Sequence, residues 1–110
     1  MKTVYIVRHG KAIHATANVA DADRLLTDTG VARTCRVALY VAESKPVIDQ
    51  IISSPAERAY ATALIIADKL GYQASNIKTD EKLFTGDDKD TLDIIEGLDD
   101  SVNTVMIVGH

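Results

Sequence analysis

Three short stretches of this 110-residue sequence carry side chains suited to phosphoryl chemistry. "VRHGK" sets Arg8 and His9 directly behind the apolar run "TVYIV". "SSPAERAYATA" sets Arg58 just inside a helical pattern, and "VMIVGH" sets Gly109 and His110 behind a second apolar run. Guanidinium forks match the oxygens of a tetrahedral oxyanion, and the free N–H groups opening a helix add partial positive charge. Neutral imidazole is a competent nucleophile that can carry a phosphoryl group between two easier steps. Arg8, Arg58, His9 and His110 in one crevice would therefore suit a small dense anion, phosphate best of all, with Gly10 allowing close approach of substrate or backbone. Each residue alone has a plainer reading: Arg8 as a surface charge, Arg58 as a helix residue paired with nearby acids, His110 as a chain-end residue. Whether they make a site depends on the elements that carry them.

Those elements are legible. "TVYIV" (3–7), "VIDQIIS" (47–53) and "TVMIV" (104–108) are apolar without alternation, as strands covered on both faces are. Val31, Cys35, Ala38, Leu39 and Ala42 recur at helical spacing behind Thr27, a suitable N-cap. A second helix is expected with Ser54 as N-cap, Pro55 at its first position, Gly71 past its end, and a buried stripe of Ala59, Ala63, Ile66, Ala67 and Leu70. A weak strand or loop at 77–79 and a third helix starting near Asp87 or Asp88, burying Leu92, Ile95 and Leu98, complete the order. Strands alternating with helices predict one three-layer α/β/α domain over 1–110 with a mainly parallel sheet. Ligands of such sheets bind beyond the carboxyl ends of the strands, where Arg8, His9, Ser53, Ser54, Gly109 and His110 would all lie.

Composition narrows the partners. The chain is 46% apolar and 25% charged, as ordinary globular domains are. No apolar run approaches the roughly 20 residues of a membrane span, and the start lacks a signal-peptide pattern, so a cytoplasmic protein without membrane association is expected. Residues 1–55 hold seven basic and five acidic side chains, and residues 56–110 hold five and eleven. An acidic second half argues against nucleic acid as a partner. Cys35, the single cysteine, reads as a buried thiol rather than a nucleophile.

"VYIVRHGKA", "RLLTDTG", "IISSPAERAYATA" and "VMIVGH", in this order and spacing, resemble the successive signatures of the histidine phosphatase superfamily, also called phosphoglycerate mutase-like. The short length and early "LT..G" segment are most similar to small bacterial phosphohistidine phosphatases of the SixA type. The resemblance implies a hydrolase in which His9 is transiently phosphorylated while Arg8, Arg58 and His110 bind the phosphoryl group and stabilise its spreading charge. It implies no metal and no cofactor. The substrate would be phosphohistidine on a protein, or a small phosphorylated molecule.

Two departures from the pattern matter. Larger relatives place a glutamate general acid shortly after a leucine past the second helix, whereas here "EKLFTGDD" puts Phe84, Thr85 and Gly86 behind Leu83. Glu81, Asp87 and Asp88 read better as solvated or helix-start charges. An alkoxide needs a proton as it leaves, while phosphohistidine with a protonated ring departs as neutral imidazole, so the missing acid favours phosphohistidine. The alternative is a phosphomonoesterase whose acid, Asp21 or Asp23, swings in from the loop before "RLLTDTG"; those aspartates otherwise read as loop solvation. Secondly, members of the resembled family continue past their G-H pair with a helix and a strand. The domain is thus expected to lack its C-terminal part, and a carboxylate on His110 would repel bound phosphate by a few kcal/mol at an effective dielectric of about 20. On that expectation the chain could be a catalytically weak phosphate-binding module.

Overall fold

A computed structural model describes residues 2–14 and 18–109. Strand β1 (Thr3–Arg8) is followed by a 3-10 turn at Asp21–Asp23, helix α1 (Asp28–Glu43), β2 (Gln50–Ser53), α2 (Glu57–Leu70), a second 3-10 turn at Ala74–Asn76, β3 (Lys78–Thr79), the short α3 (Lys82–Thr85), α4 (Asp88–Glu96) and β4 (Thr104–Gly109). The four strands pair in parallel in the order β1-β4-β2-β3. The last strand in sequence is thus inserted beside the first, with Arg8 opposite Gly109.

Strand alternation divides the core between two helical layers. Met106, Val108 and Ile51 pack with Ala38 of α1 and Ala59, Ala63, Ile66 and Ala67 of α2. Val105, Ile107 and Ile52 face the opposite way, against Leu83 and the half-buried Ile94 and Ile95 of α4. The expected α/β/α layering and parallel sheet are what the chain adopts. β4 is buried from Val105 to Gly109 because it lies between two strands and two helical layers. β1 is not: as the edge strand it leaves Ile6 exposed, and an open groove of about 590 Å³ lies between Val4, Ile6 and the α4 residues Leu92 and Ile95. The expectation of cover on both faces holds for β4 and fails for β1.

The helices also depart from their sequence patterns in detail. The buried face of α1 is Gly30, Thr34 and Ala38; of the predicted stripe Ala38 is buried, Cys35 and Ala42 are half-buried, and Val31 and Leu39 are exposed. Small side chains win that face because α1 packs against the alanines of α2, which admit only a close approach. Thr27 caps α1 as expected, its Oγ1 accepting from Gly30 N–H at 2.9 Å. α2 starts two residues later than predicted, at Glu57; the Ser54 hydroxyl accepts from Ala56 N–H at 3.2 Å, inside the turn that delivers the helix. Gly71 ends α2 in the left-handed region, φ 73°. Asp87 caps α4 in a reciprocal box with Asp90. Leu92 of α4 is exposed rather than buried, since it faces the open groove. β3 is too short to pair all of β2, and the Tyr72 hydroxyl accepts the Ile51 N–H at 3.3 Å in its place.

The "LT..G" segment has a clear mechanical role. Thr27 N–H donates to the Lys11 carbonyl at 2.8 Å, and a Cβ on Gly30 would stand 2.2 Å from that same oxygen. The first turn of α1 is thereby clamped onto the loop that follows His9. Gly30→Ala must push this loop away, and is expected to cost about 3 kcal/mol, a fall of about 10 °C in Tm in thermal unfolding. An unchanged Tm would show that the clamp is slack.

Candidate active site

His9 stands one residue beyond β1, and its N–H donates to the Gly109 carbonyl at the end of β4, 2.9 Å away. This backbone bond continues the β1–β4 register and fixes the imidazole at the carboxyl edge of the sheet. The ring Nδ1 lies 2.7 Å from the Gly10 carbonyl. A carbonyl only accepts, so Nδ1 carries the proton and Nε2 of the neutral ring keeps its lone pair. Toward that Nε2 points Nε of Arg58, at 3.4 Å.

Arg58 comes from the first turn of α2 and is 4% exposed. Its Nη1 donates to the Asp21 carbonyl at 2.6 Å, and its Nη2 lies 3.3 Å from Asp21 Oδ2. The Phe84 ring lies under the guanidinium, 5.9 Å from centroid to Cζ. Thr62, one turn along α2, donates to the Arg58 carbonyl at 2.7 Å and accepts from Gly10 N–H at 3.0 Å. One hydroxyl therefore ties the His9 loop to the helix that bears Arg58. A Cβ on Gly10 would meet Thr34 Oγ1 at 2.6 Å and the Gly30 carbonyl at 3.2 Å. Close backbone approach thus requires glycine at position 10, as the sequence reading expected, and the approaching chain is α1.

Arg8 ends β1 with its side chain exposed. Its charge, with those of Arg58 and Arg24, favours neutral His9. The largest influence on that imidazole is burial, which holds its pKa below 6.5 against the opposing pull of the Gly10 carbonyl. His9 is accordingly favoured in its neutral form, the form a nucleophile needs. Activity should fall on the acid side with an inflection below the ordinary imidazole value, read from the pH profile of kcat/KM. Stability follows the same sign: the unfolded chain binds this proton more readily, so His9's contribution is lost as pH falls below 6.5 toward its folded value. An inflection above 6.5 would contradict the assignment.

The structure brings His9 and Arg58 together and puts Arg8 on the same sheet edge; His110 lies outside the described residues. Ser53 and Ser54 are buried at the end of β2. Glu81 precedes α3 and Asp87 caps α4, the solvated and helix-start positions that the sequence suggests for them. Asp21 is where loop solvation was the wrong reading. Its carboxylate bridges Arg58 and Arg24, the latter at 2.9 Å, and these cations hold it below the usual carboxylate range. Arg24, Thr62 and Phe84 were missed. The signals were there: Arg24 opens "RLLTDTG" three residues after Asp21, and Thr62 is a polar side chain four residues after Arg58 on a face otherwise built of alanines and Ile66. Phe84 is the sole phenylalanine. Among the described residues no group of three or more His, Cys, Asp or Glu side chains could hold a metal ion, and no helix is long and apolar enough to cross a membrane.

Residues 4–84 match the histidine phosphatase superfamily, branch 1, and the chain belongs to that family. Its layering is the phosphoglycerate mutase-like one. It is 36% identical over 85 residues to the "Putative phosphoserine phosphatase 2" of Hydrogenobacter thermophilus, a match covering 76% of this chain and 39% of that protein. The chain thus spans about two fifths of that relative's length. Among solved structures it superimposes on the "putative phosphohistidine phosphatase SixA" from Agrobacterium tumefaciens with a TM-score of 0.87 at 29% identity, over 97% of this chain and 68% of that one. The protein histidine phosphatase SixA complexed with tungstate gives a TM-score of 0.86 at 28% identity, with the same coverage.

Arg58→Lys keeps the charge but removes the planar fork. It is expected to weaken binding of tungstate or vanadate by roughly ten- to hundredfold, measured by calorimetry or inhibition. Lysine binding these anions as tightly would refute a bidentate role.

Proposed function

We propose that the chain is a phosphatase that hydrolyses phosphohistidine through a phosphorylated His9. The observation that carries this reading is the fixed tautomer: Nδ1–H on the Gly10 carbonyl leaves the Nε2 lone pair beside the Arg58 guanidinium. In the first step Nε2 attacks phosphorus, the P–N bond of the substrate breaks, and the substrate imidazole, already protonated on its other nitrogen, leaves neutral. Arg8 and Arg58, with His110, the residue after Gly109 in sequence, as a further ligand, stabilise the charge on the phosphoryl oxygens. Water then attacks phosphorus, releasing inorganic phosphate and restoring neutral His9. Similarity to a protein histidine phosphatase that binds tungstate, a tetrahedral oxyanion, supports the assignment.

The second reading, a phosphomonoesterase, is favoured by the relative described as a phosphoserine phosphatase. Against it stands Asp21, the nearest loop carboxylate, held ionised by two arginines and so without a proton to give. The substrate would be a phosphorylated protein or small molecule in an aqueous compartment, the cytoplasm on the sequence reading. The test is release of inorganic phosphate from a phosphohistidine peptide and from phosphoserine. Release from the former supports the proposal, and release from phosphoserine alone overturns it.

A further inference from the structure

The outer edge of Arg58 is already engaged by an anion. Nη1 meets the Asp21 backbone carbonyl at 2.6 Å, and Nη2, a donor a phosphoryl group on His9 could use, meets the Asp21 carboxylate at 3.3 Å. The carboxylate is held more closely from the other side. Arg24 Nη1 lies 2.9 Å from Oδ1, and Arg24 is itself anchored by its Nε on the Ile13 carbonyl at 2.6 Å. Asp21 sits in a short 3-10 turn with its side chain 53% exposed, so the carboxylate can turn away from Arg58 without unpacking any core, while Arg58 itself is 4% exposed and fixed.

We propose that the Asp21 carboxylate is a tethered occupant of Arg58, displaced by the substrate's phosphoryl group and retained by Arg24 when it leaves. Asp21 is then a specificity-determining residue. A carboxylate of single charge holds the fork until a group of higher charge density arrives, so phosphoryl dianions exchange with it readily and monoanions poorly. Its effect falls on binding and selectivity, not on proton transfer. The inference rests on Arg58 being a phosphate ligand, as in the proposed function.

Calorimetric titration of the full chain with tungstate, and with inorganic phosphate above and below its second pKa, tests both independently of turnover. Asp21→Asn removes the charge but leaves the backbone carbonyl that orients Arg58 and an amide oxygen for Arg24. It is expected to bind tungstate roughly three- to tenfold more tightly and to narrow the preference for phosphate dianion over monoanion. Arg24→Gln should weaken tungstate binding in the parent chain, by freeing Asp21 to stay on Arg58, and have a smaller effect when Asp21 is asparagine. Equal loss in both backgrounds would make Arg24 a direct anion ligand and overturn its retaining role. Unchanged or weaker tungstate binding by Asp21→Asn overturns the tethered occupant while leaving the phosphate site standing. A parent chain that binds neither anion overturns the phosphate site and this inference together. A proton-donor role for Asp21 gives a different signature, unaltered tungstate affinity with kcat reduced on alkyl phosphates.

Discussion

His9→Ala is expected to lower turnover of any phosphorylated substrate by at least about a thousandfold with the fold intact. On the proposed mechanism the loss is large because the imidazole would bond to phosphorus, and the described side chains beside it are otherwise engaged: Arg58 is cationic, Asp21 is tied to two arginines, and Thr62 donates to a backbone carbonyl. The fold survives because His9 contributes to packing mainly through its backbone. Its N–H still bonds to Gly109, and the ring is half-buried with its Nδ1 bond to the adjacent carbonyl. Steady-state rates on a phosphohistidine peptide, with circular dichroism and Tm as the control, make the comparison. A variant folded and active to within tenfold of the parent would remove His9 from the chemistry.

Activity is also expected to exceed alkyl phosphate hydrolysis by about a thousandfold or more when the leaving group needs no proton, as for phosphohistidine or aryl phosphates of acidic phenols. The physical ground is the state of the carboxylate that reaches Arg58. Asp21 is held ionised by Arg24 and Arg58, Asp87 accepts from Lys89 and Asp90 N–H groups, and Glu81 precedes α3 on the exposed surface. Asp21 therefore has no proton to offer a departing alkoxide, and Asp87 is engaged in the cap of α4. A series of aryl phosphates should show a steep dependence of rate on phenol pKa, with sugar phosphates at the slow end. A flat series would mean that a donor is in place, and mutation of Asp21, Asp23 and Glu81 would then find it.

The features legible in the sequence were those set by local chemistry. Strand runs, the Thr27 cap, the Gly71 stop and the Asp87 start all depend on residues within a few positions of one another; the caps and the stop appear where expected, and of the strand runs only β2 begins late, at Gln50 rather than 47. His9 and Arg58 could be placed at one sheet edge because parallel topology dictates it. Apart from the late start of α2, the failures originate in long-range geometry. The face of α1 is chosen by how closely the alanines of α2 let it approach, which favours Gly30, Thr34 and Ala38 over the larger Val31 and Leu39. The exposure of Ile6 follows from β1 being the edge strand, a property of strand order rather than of its residues. Asp21 and Arg58 are 37 residues apart in sequence, and only the fold shows that a loop acid closes on the arginine of the site.

The central claim is a covalent phosphoryl group on one identified nitrogen. Rapid-quench reaction with a labelled phosphoryl donor, alkaline denaturation and peptide mapping should find acid-labile, alkali-stable phosphate on His9. It should be bonded to Nε2, since Nδ1 is committed to the Gly10 carbonyl. Label on Nδ1, on another residue, or absent throughout turnover would contradict the account.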